Sequence, residues 1–355
     1  MKNLNNTNNT NNELIENKDK LKKFNFTIIG SGAFGTAVAN FLVDNNNVII
    51  YGIDKKEIDD IKINHKNTKY FGSIKLKNKI EATNNIKEAL KEADAILLAI
   101  PSHIFKIVLK EKILPNMKKA AYFINLAKGF DYKEIKFLNQ IIDETIPKNL
   151  NLGTLKLSGP SFAKELLKKE PTKFVLAAKD IEIAKNLKKY FETNYINIII
   201  SNEIYGVEIL SVIKNPLSIL LGIVQGLGYK MNSRAYIFSE ALEEMKKIVN
   251  LYKLNENIIF LPAGVGDLYL TGNSKKSRNF SVGYKIGKND KVNKKILNSF
   301  TTIEGLRSIE IIFLLAKKNG IDLKLFNLLY NITYKNTSPS KAMDEFFKGI
   351  NEHYE

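Results

Sequence analysis

The stretch Phe26–Ala39, FTIIGSGAFGTAVA, sets a short β-branched and aromatic run before a glycine-rich turn and an alanine-rich helical pattern. Gly30, Gly32 and Gly35 complete G-x-G-x-x-G at the junction. In that order the first glycine permits a tight turn. The second lets backbone approach a pyrophosphate, and the third lets helix pack on strand. The helix N-terminus behind the turn offers unpaired N–H groups and a partial positive charge. A glycine triplet alone can be an ordinary turn. The strand before it and the helix after it point instead to a dinucleotide site, with Gly30, Ser31, Gly32 and Gly35 forming the cradle.

Strands and helices alternate from Phe24 onward. Strand signals fall at Asn25–Ile29, Asn47–Tyr51, Ala95–Ile100, Ala121–Leu126, Thr154–Leu157, Lys173–Ala177 and Asn197–Ile200, with helical patterns such as Lys133–Thr145 and Ile181–Phe191 between them. Near-continuous apolar strands alternating with amphipathic helices predict a Rossmann-like, doubly wound α/β fold around a mostly parallel sheet. After Asn202 the strand signals fade, and Tyr205–Leu227, Ser233–Leu254, Ser281–Gly287, Thr302–Asn319 and Leu323–Tyr330 read as helices. The expected division is therefore an Asn-rich disordered arm over 1–23, a dinucleotide domain over 24–201 and an all-α domain over 202–355. The polar tail after Tyr334 is expected to fray.

Composition narrows the chemistry. The 355 residues include no cysteine and only three histidines, His65, His103 and His353, so disulfides, thiolate chemistry and a metal site are not expected. Net charge is +17, but the lysines are spread along the chain beside acids, and only three arginines occur. Nucleic-acid binding concentrates arginine and lysine on one face, so no nucleic-acid partner is expected. The charge should still steer anionic substrates. No apolar run approaches the ~20 residues of a membrane span, and the N-terminus lacks an apolar signal region, so the expected location is the cytoplasm, without membrane insertion.

In doubly wound sheets ligands bind outside the carboxyl ends of the strands. Three such ends read LAIPSH (98–103), LAKG (126–129) and LSGPSFA (157–163). Lys128 is the most pointed, because a cation after a strand would face that crevice. In the helical half, Lys214 of VIKNP stands among apolar residues, where it must either snorkel or be buried near a partner. The segment GVGDLYLTGNSKKSRN gathers Asp267, Thr271, Ser277, Arg278 and Asn279. Arginine with hydroxyl and amide neighbours can grip a phosphate, and an exposed polar loop would show the same composition.

Taken together and in order, GSGAFGTA, IPSH, AKG, SGPSFAKE, VIKN, GVGDLYLT, SRN and IEG closely resemble the bacterial-type NAD(P)-dependent glycerol-3-phosphate dehydrogenases. The resemblance covers roughly Phe24 to Tyr330. It implies a usually dimeric enzyme that interconverts dihydroxyacetone phosphate and sn-glycerol 3-phosphate, supplying the phospholipid backbone. It further implies that Lys214 is the catalytic lysine and that Lys128 touches both cofactor and substrate. Gly159, Ser161, Asp267, Thr271, Ser277, Arg278 and Asn279 would then meet the substrate. Ala33, Phe34, Ala163, Arg278 and Glu304 would meet the dinucleotide. NADPH-preferring members often place a base just past the second strand, where this chain has Ile53. Asp54, 19 residues beyond Gly35, stands where an acid binds a ribose 2′-hydroxyl. That leans toward NAD, although Lys55 and Lys56 could clamp a 2′-phosphate. Two rivals share part of the pattern: a two-domain reductase of another hydroxy acid, and a non-catalytic redox sensor or nucleic-acid binder on the same fold.

Overall fold

The computed structural model of the chain describes residues 23–131, 134–293, 296 and 304–351. Nearly all of the expected Asn-rich arm, the first two residues of the helix expected at 302–319 and the last four residues of the chain lie outside that set.

Strands β1 (Asn25–Ile29), β2 (Asn47–Tyr51), β3 (Ile80–Thr83), β4 (Ala95–Leu98), β5 (Ala121–Asn125), β6 (Asn151–Ser158), β7 (Thr172–Ala178) and β8 (Ile196–Ser201) form one sheet. Its order is β8-β7-β6-β5-β4-β1-β2-β3. Strands β1 to β6 run parallel, β7 is antiparallel to β6, and β8 follows β7. Successive side chains of a strand face opposite ways, and both faces here are apolar. Ile28 and Leu97 enter one core, shared with helix α1 (Ala33–Leu42). Ile29 and Leu98 enter the other, shared with Phe105, Leu109 and helix α2 (Leu138–Thr145). Strand β1 has β2 on one side and β4 on the other, so its carboxyl end is the switch point where a crevice opens.

Three local expectations need correction. Strand β3 gave no signal because IEAT is only four residues long and places Glu81 in solvent. The helix expected at Lys133–Thr145 begins at Leu138, and a two-stranded hairpin, Phe130–Asp131 with Lys136–Phe137, precedes it. The Glu208 carboxylate fixes that start by accepting the Leu138 and Asn139 amides at 2.7 and 3.4 Å. The polar tail forms a helix, Pro339–Asn351, rather than fraying. Asp290 accepts the Ser340 amide at 2.7 Å, and Phe346 and Phe347 pack on Tyr236.

The C-terminal half is built around helix α3 (Ile204–Gly226). It meets the length and hydropathy of a membrane span, with a mean hydropathy of 1.7, yet that apolar window is wholly buried in the fold. Glu208 and Lys214 divide its apolar run, which is why sequence alone showed no span of that length. Helix α4 (Arg278–Asn289) lies against it through four glycines. A Cβ at Gly222 would stand 2.2 Å from Phe280 O, and one at Gly226 would stand 2.3 Å from Tyr284 O. Reciprocally, Gly283 would meet Ile219 O at 1.9 Å and Gly287 would meet Ile223 O at 2.2 Å. The neighbours are backbone atoms, so neither helix can yield without moving as a whole. Gly283→Ala is expected to cost about 3 kcal/mol, at the upper end of overpacking penalties. Thermal unfolding would show it as a lower midpoint, and an unchanged midpoint would refute the close seam.

Candidate functional site

Each glycine of the turn after β1 has its own reason. Gly30 takes φ +119°, and a Cβ there would lie 2.5 Å from Ala99 O. Gly35 would collide with Gly30 O at 2.3 Å, so only a bare Cα lets α1 pack on β1. Nothing lies within 4 Å of a Cβ built at Gly32, which caps α1 without a side-chain hydrogen bond. No acid occupies the first turn of α1. The cradle therefore offers open space and unpaired amides at the positive end of a helix, which fits a dinucleotide pyrophosphate. Ala33 and Phe34, half-buried, form the first turn of α1.

Side chains around the turn are committed to one another. The Ser31 hydroxyl donates to Glu57 Oε2 at 2.6 Å, and its carbonyl accepts from Asn67 Nδ2 at 2.8 Å. Asp54 caps the helix Lys55–Asn64, with Oδ1 accepting the Lys56 amide at 2.9 Å. Its Oδ2 lies 3.6 Å from Lys69 Nζ. Ile53 is 88% exposed beside it.

Strands β4, β5 and β6 run parallel with β1, so IPSH, AKG and SGPS emerge at the same edge as the glycine turn. There the two halves of the chain meet. Lys214 from α3 is 2% exposed, and its Nζ donates to Asp267 Oδ1 at 2.9 Å. Lys128, 26% exposed, donates to the other oxygen of the same carboxylate at 3.2 Å. Asp267 itself is fully buried. Burial pushes the Lys214 ammonium down to about 7; Asp267 opposes that shift and Lys128 adds to it. Burial alone would raise Asp267, but the charges of Lys128 and Lys214 outweigh it and hold the carboxyl below its usual range. Thr271 Oγ1 donates to Asp267 O at 2.6 Å and lies 2.9 Å from Ser218 Oγ, which fixes the turn carrying the carboxylate. Helix α3 runs unbroken through Pro216, just past Lys214.

Ser277 is the N-cap of α4 and accepts the Phe280 amide at 3.4 Å. Arg278, exposed at the first position of α4, and Asn279 stand at the positive end of that helix. Asn279 Nδ2 donates to Asn215 Oδ1 at 3.0 Å, which ties this end to the residue beside Lys214. An arginine fork at a helix N-terminus can bind a phosphate by charge-assisted pairs. Gly159 turns against β7, where a Cβ would stand 2.7 Å from Lys173 O, and Ser161 Oγ donates to Gly159 O at 3.3 Å. Ala163 opens a short helix to Leu167, whose Glu165 pairs with Lys276 at 2.6 Å across the two halves. Glu304 accepts the Ser102 amide of the IPSH turn; burial lifts its carboxyl, with Arg278 and Lys128 opposing.

Sequence reading missed Glu57, Asn125, Lys156 and Glu208. Glu57 had a signal, since it stands three residues after the capping Asp54. Lys156 had one too, as a lysine inside the apolar strand LKLS. Asn125, whose Oδ1 accepts the Ala127 amide two residues on, was passed over, and Glu208 had no signal because the amides it accepts lie far away in sequence.

Known proteins share this chain's sequence pattern and fold. A model of the NAD-dependent glycerol-3-phosphate dehydrogenase N-terminus matches residues 25–184, and one of its C-terminus matches 203–344. The glycerol-3-phosphate dehydrogenase (NAD(P)+) of Mesoplasma florum is 36% identical over 334 residues, covering 93% of this chain and 99% of the relative. That of Clostridium botulinum is 32% identical over 320 residues, covering 90% and 96%. A solved glycerol-3-phosphate dehydrogenase structure from Coxiella burnetii superposes with a TM-score of 0.84 at 26% identity, covering 92% of this chain and 99% of that one.

Proposed function

The chain belongs to the NAD-dependent glycerol-3-phosphate dehydrogenase family of NAD(P)-dependent oxidoreductases, and from this premise we propose that it interconverts dihydroxyacetone phosphate and sn-glycerol 3-phosphate with Lys214 as proton donor and acceptor. One observation carries the reading: a buried carboxylate, Asp267, holds the amines of Lys214 and Lys128 at the edge where the glycine turn opens.

The dinucleotide, when bound, supplies or accepts the hydride at C2 of the triose. Gly30, Ser31, Gly32, Ala33, Phe34 and Gly35 would hold its pyrophosphate end, with Asp54 at the ribose and Lys128, Ala163, Arg278 and Glu304 nearer the substrate. As C2 is reduced, negative charge develops on its oxygen. Lys214 Nζ hydrogen-bonds that oxygen and transfers a proton to it; in the oxidative direction the neutral amine takes the proton back. Burial supports this role by bringing the amine near neutral pH. Asp267 aims Lys214 and keeps its charge tolerable in the interior. Arg278, Ser277 and Asn279 bind the phosphate, while Lys128, Gly159, Ser161 and Thr271 complete the pocket. In this reading residues 24–201 carry the dinucleotide and 202–355 the substrate chemistry.

We expect a lean toward NADH over NADPH, because Ile53 supplies no charge for a 2′-phosphate and Asp54 stands where an acid binds a ribose 2′-hydroxyl. A homodimer, a cytoplasmic location and a role in supplying phospholipid backbones complete the proposal on the family's pattern.

The direct test is loss of absorbance at the reduced-nicotinamide band, started by dihydroxyacetone phosphate, with NADH and NADPH compared. Oxidation that requires the phosphorylated ketose supports the reading, and none with either cofactor overturns it. Arg278→Lys is expected to raise KM for dihydroxyacetone phosphate about tenfold, since an ammonium cannot copy the guanidinium fork. An unchanged KM would place the phosphate elsewhere.

A further inference from the structure

Lys156 is a lysine in the middle of a sheet. It is 0% exposed and pairs in register with Asn125 of the neighbouring strand β5. An apolar residue would fill such a position without the cost of burying an amine. The Lys156 amine donates to the carbonyl oxygen of Ala127, the residue just before Lys128. The amide of the same Ala127 donates to Asn125 Oδ1 at 2.8 Å. Both polar backbone groups of Ala127 are thus held by side chains from two adjacent strands.

The bracket continues inward. Asn125 Nδ2 donates to Glu208 Oε1 at 3.2 Å, and Glu208, fully buried on α3, also accepts the Leu138 and Asn139 amides. Glu208 is the strongest negative influence on the Lys156 ammonium. The bracket matters because Lys128 has no regular structure of its own. Residues 126–128 lie beyond the end of β5, and Gly129 follows with φ +149°. A segment of that kind samples many conformations unless its backbone groups are tied down.

We propose that Lys156 is a positioning residue for the reaction: with Asn125 and Glu208 it clamps the peptide ahead of Lys128, so that the Lys128 amine is presented to Asp267 and to the substrate. This rests on the functional reading above, in which Lys128 meets the triose phosphate. Lys156 itself touches neither substrate nor dinucleotide. Its effect should therefore pass chiefly through Lys128.

A double-mutant cycle tests this. The variants are Lys156→Met, Lys128→Met and the pair, assayed at high enzyme concentration with dihydroxyacetone phosphate and NADH. Lys156→Met is expected to lower kcat/KM for the triose about tenfold in the parent background, the scale of one coupled pair, and by less than about twofold when Lys128 is already methionine. KM for NADH in Lys156→Met should stay within about twofold of the parent, which a general loosening of the fold would not spare. Equal losses in both backgrounds, or no loss in either, overturn the proposal. If Lys156→Met does not fold, Lys156→Gln, which keeps a neutral donor, enters the same cycle under the same expectations. The parent enzyme separates the two failures. Activity on the triose with an additive cycle rejects the positioning role alone, and no activity on the triose rejects both.

Discussion

Lys214→Ala is expected to lower turnover at least about 100-fold, in either direction, while dinucleotide binding survives. The reason is location. The amine is almost wholly buried on α3 and aimed by its paired carboxylate, so Ala removes the one group the reading sets to protonate the C2 oxygen. The glycine turn that would hold the dinucleotide is formed by other elements and loses nothing. The same amine predicts opposite pH profiles for the two directions. Burial brings it to about 7, so the protonated form needed to reduce the ketone declines as pH rises through neutrality. The neutral form needed to oxidise the alcohol grows over the same range. Steady-state rates across pH 6–9 in both directions would show crossing curves. Near-parent turnover in Lys214→Ala removes the lysine from the chemistry.

The second large effect is expected at Asp267. Asp267→Asn keeps the shape but removes the charge shared by Lys214 and Lys128. Removing one member of a buried charge cluster typically costs about 3–5 kcal/mol, because the remaining charge is left unpaired. The lysines answer by losing protons, so Lys214 titrates at still lower pH. Triose reduction at neutral pH should fall about 100- to 1000-fold, and the falling limb of its profile should move toward acid. A milder loss with an unmoved pH limb would mean that Asp267 serves packing rather than charge. The two variants differ in a readable way: Asp267→Asn recovers part of its rate on acidification, and Lys214→Ala does not.

Much of this arrangement was legible before any coordinates. The strands were visible because buried parallel strands are apolar on both faces, and SGPSFA and LAKG stood out because glycine, proline and lysine rarely follow such strands without cause. Lys214 was visible as a cation out of place. Part of what stayed hidden did so through distance along the chain. Glu208 caps a helix 70 residues before it, and no local pattern announces such a donor–acceptor pair. The short edge strand Ile80–Thr83 hid for the opposite reason, since four residues beside solvent carry too little hydrophobic signal. The tail misled because its polar look conceals Phe346 and Phe347, which find their partners only in three dimensions.

The four-glycine contact between α3 and α4 carries a consequence for substrate size. One of these helices bears the amine expected at the carbonyl, and the other bears the arginine expected at the phosphate. Main chain touches main chain along that contact, so the gap between the two groups acts as a rigid gauge rather than an elastic jaw. A three-carbon phosphate that spans the gauge would be accepted whole. A longer sugar phosphate gains nothing from side-chain drift nearby, because lengthening the gauge would require one entire helix to slide along the other.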